Sequence, residues 1–118
     1  MGIFTHKITL VSSDGSLQDD IEAYVDTGAT FSSVPSQILE RLGVQPMLNI
    51  PIRLANQETI ERPLGFVLAR IGGKELITPC TFGRPGDPSL IGAVTLEIFM
   101  FAVDPIGHQL VSVEALQL

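Results

Sequence analysis

The stretch Ala23-Tyr24-Val25-Asp26-Thr27-Gly28-Ala29-Thr30 gives the first indication of how this chain folds. Between Ile21 and Val25, apolar residues alternate with polar or aromatic ones, which is the period of a strand with one buried face. Asp26 therefore falls where a strand ends, and the Thr and Gly that follow it favour a tight turn. By itself this triplet is a weak functional signal, because the same residues form turns that carry no chemistry.

Gly and Pro residues divide the rest of the chain into short segments rich in β-branched and apolar residues. The sequence contains 11 Gly and 8 Pro, and this punctuation is typical of an all-β domain. Strands are predicted over residues 3–11, 17–25, 65–71, 75–82, 89–92 and 108–118, and Gly72-Gly73 predicts a tight hairpin turn. Two short helices are predicted, over residues 35–42 and 93–100.

Length and composition limit the classes of protein to which the chain can belong. The 118 residues suit one domain, spanning 1–118, and 45% hydrophobic residues supply enough material for a core. Thirteen acidic residues against seven scattered basic residues argue against a nucleic-acid partner. No apolar run approaches the roughly 20 residues that cross a bilayer, and no secretory signal opens the chain. A cytoplasmic protein without a membrane segment is therefore expected.

The Cys and His residues give no indication of a disulfide, metal or cofactor. Cys80 is the single cysteine, so an intrachain disulfide is impossible, and its apolar neighbours predict a buried and unreactive thiol. His6 and His108 have no acidic cluster beside them in the sequence, so no metal site is predicted. The serines lack a nucleophile-elbow pattern, which argues against a serine hydrolase.

A second motif, near the end of the chain, extends the pattern around Asp26. Leu90-Ile91-Gly92 consists of two apolar residues and a glycine, and it precedes a predicted helix. Together with Asp26-Thr27-Gly28-Ala29 it resembles the retropepsin-like aspartic protease family, and the chain looks most like the compact prokaryotic relatives of retroviral proteases. A polar hairpin in the middle and a closing Val103-Asp104-Pro105 turn follow the order of that family. The resemblance implies an all-β, closed barrel-like acid-protease fold with one or two short helices.

The resemblance implies that Asp26 is the catalytic residue of an aspartic endopeptidase that cleaves an extended polypeptide. In that chemistry two carboxyl groups share one proton, so that one activates a water while the other protonates the peptide oxygen. This chain offers one Asp-Thr-Gly, so the second Asp26 would come from another copy in a symmetric homodimer. Asp104 lacks a following Thr-Gly and is expected to be only a turn residue.

The resemblance also implies roles for the residues around Asp26. Thr27, Gly28 and Ala29 would shape the catalytic turn, and Leu90, Ile91 and Gly92 would support it, with Gly92 allowing two backbones to pass closely. Substrate contacts would come from Gly28, Thr30 and a flap made of Leu54, Ala55, Asn56, Gln57, Glu58 and Thr59. The flap tip lacks the glycines of retroviral flaps, and Thr30 stands where those enzymes carry an acidic residue.

The dimer interface and the catalytic activity are both expectations drawn from this resemblance. The terminal strands are candidates for the interface, with Val111, Val113, Leu116 and Leu118 as contact residues. The alternative is a non-catalytic module that keeps the fold for dimerisation or peptide binding, since a fold does not establish an activity. The presence of Asp26 favours the catalytic interpretation.

Overall fold

In the computed structural model, which describes residues 4–117, strands account for most of the regular structure. The elements in chain order are β1 (Thr5–Val11), β2 (Gln18–Val25), β3 (Ser32–Pro35), α1 (Ser36–Arg41), β4 (Leu48–Arg53), β5 (Thr59–Ile71), β6 (Lys74–Gly83), β7 (Leu90–Ile91), α2 (Ala93–Ile98), β8 (Phe101–Asp104) and β9 (Gln109–Ser112). The two helices are each six residues long, so the strands determine the architecture.

Six of the strands close on one another. The hydrogen-bonded order is β1-β2-β7-β3-β6-β5-β4, and residues 9–11 of β1 also pair with residues 68–70 of β5. This extra pairing joins the two ends of the series from β1 to β5 into a ring and leaves β4 outside it. The prediction of an all-β, closed barrel-like fold with two short helices is confirmed.

The core is a single cluster of buried apolar side chains from the strands and both helices. In β2 the predicted alternation is confirmed, because Ala23 and Val25 are buried while Glu22 and Tyr24 are exposed. Leu96 of α2 belongs to this core, as does the fully buried Phe99, which directly follows the helix. Burying a side chain as large as that of Phe99 stabilises the fold by about 1.5–3 kcal/mol. Such burial is the main favourable term in folding.

The hairpin between β5 and β6 turns at Gly72-Gly73, as predicted. Ile71 pairs with Lys74, which leaves a two-residue loop whose glycines have φ values of 55° and 83°. Positive φ at both positions is what a type I′ turn requires, and it matches the twist of the strands. Lys74 is part of the strand, and its Nζ donates a hydrogen bond of 2.8 Å to the carbonyl oxygen of Phe99. The hairpin is thereby attached to the end of α2.

The predicted ends of the second helix and of the last strand differ from the structure. The helix predicted to Met100 ends at Ile98, because Met100 adopts a φ of 57°, which an α-helix cannot contain. The strand predicted over 108–118 is shorter: β9 ends at Ser112, where its pairing with Phe101 at the start of β8 is complete. Residues 113–117 are exposed and form no strand, while Leu118 lies outside the described residues. Ile3, the predicted start of the first strand, also lies outside them.

The Cys80 thiol is expected to be unreactive in the native protein. The side chain is 1% exposed, as predicted, and burial raises the pKa of the thiol to about 12. Since the thiolate is the reactive form, almost none is present near neutral pH. We expect an aromatic disulfide reagent to label Cys80 only after urea unfolds the chain. Rapid labelling in buffer alone would contradict this burial.

Candidate active site

Asp26 lies in a tight turn directly after β2. The amide of Asp26 donates a hydrogen bond of 2.9 Å to the Ile91 carbonyl, which fixes the backbone at the end of the strand. The amide of Gly28 donates to Asp26 Oδ1 at 3.0 Å, and the amide of Ala29 donates to the Asp26 carbonyl at 3.2 Å. The half-buried carboxylate is therefore oriented by the backbone of its own turn.

The short strand β7 lies between the two strands that flank this turn. Tyr24 and Val25 of β2 pair in parallel with Leu90 and Ile91, and on the other side Leu90 pairs with Ser33 of β3. The chain enters the turn along β2 and leaves it along β3, so β7 separates the two arms. The structure thus brings the two sequence motifs together, although many residues separate them in the chain.

Gly92 marks a point where two backbones pass at close range. A Cβ atom at this position would lie 2.5 Å from the carbonyl carbon of Phe31 and 2.9 Å from the amide nitrogen of Ser32. The φ of Gly92 is −94°, a value that any residue adopts, so conformation does not explain the glycine here. The lack of space for a side chain requires it.

The first turn of α2 is hydrogen-bonded to the residues that follow Asp26. The amide of Ala93 donates to the Ala29 carbonyl at 2.8 Å, and the amide of Val94 donates to the Thr30 carbonyl at 3.0 Å. Amides in the first turn of a helix have no partner within the helix, so these carbonyls satisfy them. The helix and the Asp26 turn therefore hold each other in place.

The predicted flap residues form a separate hairpin. β4 and β5 pair in antiparallel fashion as far as Arg53 opposite Thr59, which leaves residues 54–58 as the tip, with Leu54 half-buried and residues 55–58 exposed. The tip contains no glycine, yet it turns tightly because Gln57 adopts a left-handed φ of 73°. The Asn56 side chain accepts from the Glu58 amide at 3.0 Å and donates to the Glu58 carboxylate at 2.7 Å. These bonds order the tip within itself.

A buried chain of hydroxyl groups behind the turn was not predicted from the sequence. The Gly92 amide donates to Ser32 Oγ at 3.0 Å, Ser32 Oγ lies 2.5 Å from Thr95 Oγ1, and Thr95 Oγ1 lies 2.8 Å from Thr78 Oγ1. All three hydroxyl residues are at most 2% exposed. One signal was available: Thr95 lies four residues before Phe99 and so shares the buried face of the helix.

Among residues 4–117, no three His, Cys, Asp or Glu side chains come together in an arrangement that could hold a metal ion. Neither helix in that range is long and apolar enough to cross a membrane.

Comparison with solved structures shows which fold this chain has. The solution structure of Simian Foamy Virus (mac) protease matches 81% of this chain and 94% of its own, with a TM-score of 0.57 and 17% sequence identity. The chain therefore has the retropepsin-like protease fold. The resemblance inferred from the Asp26 and Leu90 motifs is confirmed at the level of the fold.

Two larger proteins contain the same retropepsin-like fold. They are the foamy viral protease-reverse transcriptase in complex with an RNA/DNA hybrid and its dRH form in complex with double-stranded DNA. Their TM-scores are 0.58 and 0.55, their identities 13% and 14%, and they match 96% and 79% of this chain. This chain spans 13% and 15% of their lengths. No family model and no curated protein matches the sequence.

Proposed function

We propose that this protein is an aspartic endopeptidase whose active site forms between two copies of the chain. The observation that supports this most strongly is the carboxylate of Asp26 in a backbone-held turn, with β7 between its two arms, in a retropepsin-like fold. One such turn supplies one carboxyl group. A twofold axis beside the turn would supply the second from an identical partner.

The proposed reaction uses the two Asp26 carboxyl groups in different protonation states. The ionised carboxylate takes a proton from a water molecule, whose oxygen attacks the carbonyl carbon of the peptide bond. The protonated carboxyl donates to the carbonyl oxygen, which gives a tetrahedral diol. A proton passed to the amide nitrogen then allows the carbon–nitrogen bond to break, leaving a new carboxyl group and a new amine. Two close carboxylates repel, so one of them retains the shared proton.

Residues around the turn would bind and cover the substrate. We propose that the backbones of Gly28 and Thr30 hydrogen-bond to an extended peptide, while Thr27 contacts the partner turn across the axis. The hairpin tip at residues 54–58, together with Thr59 at the start of β5, would close over the peptide and exclude water. Exposed apolar residues after β8, among them Val111, Val113 and Leu116, are proposed as part of the dimer contact.

The proposal is tested by incubating the protein with a peptide library at about pH 3 to about pH 8, with and without an inhibitor whose hydroxyl mimics the diol. We expect internal peptide bonds to be cleaved, and the inhibitor to stop the cleavage. Sedimentation on the same samples reports the oligomeric state. A dimer that cleaves nothing across this range would instead support a non-catalytic binding or dimerisation module.

A further inference from the structure

The buried hydroxyl groups of Ser32, Thr95 and Thr78 form a chain with one direction. Every hydroxyl proton has an acceptor when Thr78 donates to the Pro79 carbonyl oxygen at 3.4 Å and Thr95 donates to Thr78 at 2.8 Å. Thr95 has then used its single proton, so Ser32 donates to Thr95. Ser32 in turn accepts from the Gly92 amide. Each hydroxyl thus donates once and accepts once.

This chain of bonds connects β6 to the turn that carries Asp26. Thr78 belongs to β6, Thr95 to α2, and Ser32 to the first position of β3, directly after the turn. Gly92, whose amide donates to Ser32 Oγ, is followed by the two amides that hold the carbonyls of Ala29 and Thr30. The N-cap residue of α2, Gly92, has no side chain with which to cap the helix, and Ser32 Oγ accepts the hydrogen bond from the Gly92 amide.

We propose that Ser32 and Thr95 are positioning residues that fix the first turn of α2, and through it the orientation of the Asp26 carboxylate. This inference rests on the proposed function as far as kinetics are concerned. Its structural part stands on the contacts alone. Misplacing a reacting group by about 1 Å can cost about a hundredfold in rate, so a small shift of this turn has a large effect.

The kinetic test compares Thr95→Val with two matched variants. Valine keeps the shape of threonine but removes the hydroxyl, which leaves the Ser32 proton without an acceptor. We expect Thr95→Val to lower kcat by about tenfold or more with little change in KM, because the bound substrate then meets a misplaced carboxylate. Thr95→Ser keeps the hydroxyl and should restore kcat. Thr9→Val removes another buried hydroxyl, which lies in β1 and donates to the Asp20 carboxylate at 2.7 Å. We expect this variant to keep the wild-type kcat.

Hydrogen exchange provides a test that needs no enzyme activity. We expect the amides of Gly92, Ala93 and Val94 to lose protection in Thr95→Val but not in Thr9→Val. If Thr95→Val does not fold, Thr78→Val can be used instead, because it removes the hydroxyl to which Thr95 donates. We expect it to cause a smaller loss of amide protection at the same three residues. Wild-type protection of all three amides and wild-type kcat in the folded variants would overturn the inference. A wild-type protein that cleaves no peptide would overturn the proposed function instead. The hydrogen-exchange result would still decide whether Ser32 and Thr95 fix the first turn of α2.

Discussion

Asp26→Asn is expected to lower kcat/KM for peptide cleavage by about 10⁴-fold while leaving the fold and the proposed dimer intact. Asparagine has the shape of aspartate. Its Oδ1 can still accept a hydrogen bond from the Gly28 amide, as Asp26 Oδ1 does at 3.0 Å in the native turn. The amide side chain can neither take a proton from water nor share one with a partner. Cleavage is measured by chromatography of a peptide product, and circular dichroism and sedimentation report fold and assembly.

Asp104→Asn is the matched control for this substitution. Asp104 also accepts backbone hydrogen bonds in a turn, from the amides of Ile106 and Gly107 at 3.1 Å each. These bonds lower the pKa of its carboxyl, so it is ionised at neutral pH and unsuited to hold a proton. We expect Asp104→Asn to cleave peptides at the wild-type rate. Equal losses in the two variants would show that the assay reports folding rather than catalysis.

Gly92→Ala is expected to destabilise the native state by about 3 kcal/mol. The new methyl group would lie 2.5 Å from the backbone carbon of Phe31, well inside contact distance. Neither backbone can move easily, because β7 is paired with both β2 and β3. Urea unfolding of wild type and variant measures the difference in free energy of unfolding. Activity should fall as well, since α2 and the Asp26 turn are displaced together.

Gly107→Ala is the control for the effect of removing a glycine. A Cβ atom there would come within 2.6 Å of Asp104 Oδ2, which is the end of a side chain in an exposed turn and can move away. We expect the free energy of unfolding to change by less than about 0.5 kcal/mol. If Gly92→Ala unfolded at the wild-type urea concentration, the close approach of the Gly92 and Phe31 backbones would be contradicted.

Local patterns in the sequence were sufficient to predict the elements around Asp26. In β2 the alternation works because one face of the strand packs on the core and the other meets solvent. Gly72-Gly73 was informative because few other residues adopt positive φ at two consecutive positions. Both signals depend on neighbours in the chain, which a sequence shows directly.

Local sequence patterns do not predict features that depend on contacts between distant parts of the chain. The ring is closed by residues 9–11 of β1 meeting residues 68–70 of β5, and no local pattern encodes that pairing. The hydrogen-bonded hydroxyls join positions 32, 78 and 95, and the spacing of Thr95 from Phe99 indicates burial but not the partners of its hydroxyl. The last strand was predicted too long because apolar residues continue to the end of the chain, whereas strand length is set by the partner, β8.

The separation of the two Asp26 carboxyl groups is the most direct test of the proposed dimeric active site. It can be measured in a crystal structure of the protein bound to an inhibitor that carries a hydroxyl in place of the diol. The account predicts two Asp26 side chains from different subunits within hydrogen-bonding distance, about 3 Å, with the inhibitor hydroxyl between them. An Asp26 carboxylate that lies far from any second copy, or that is paired with an arginine or lysine, would contradict it.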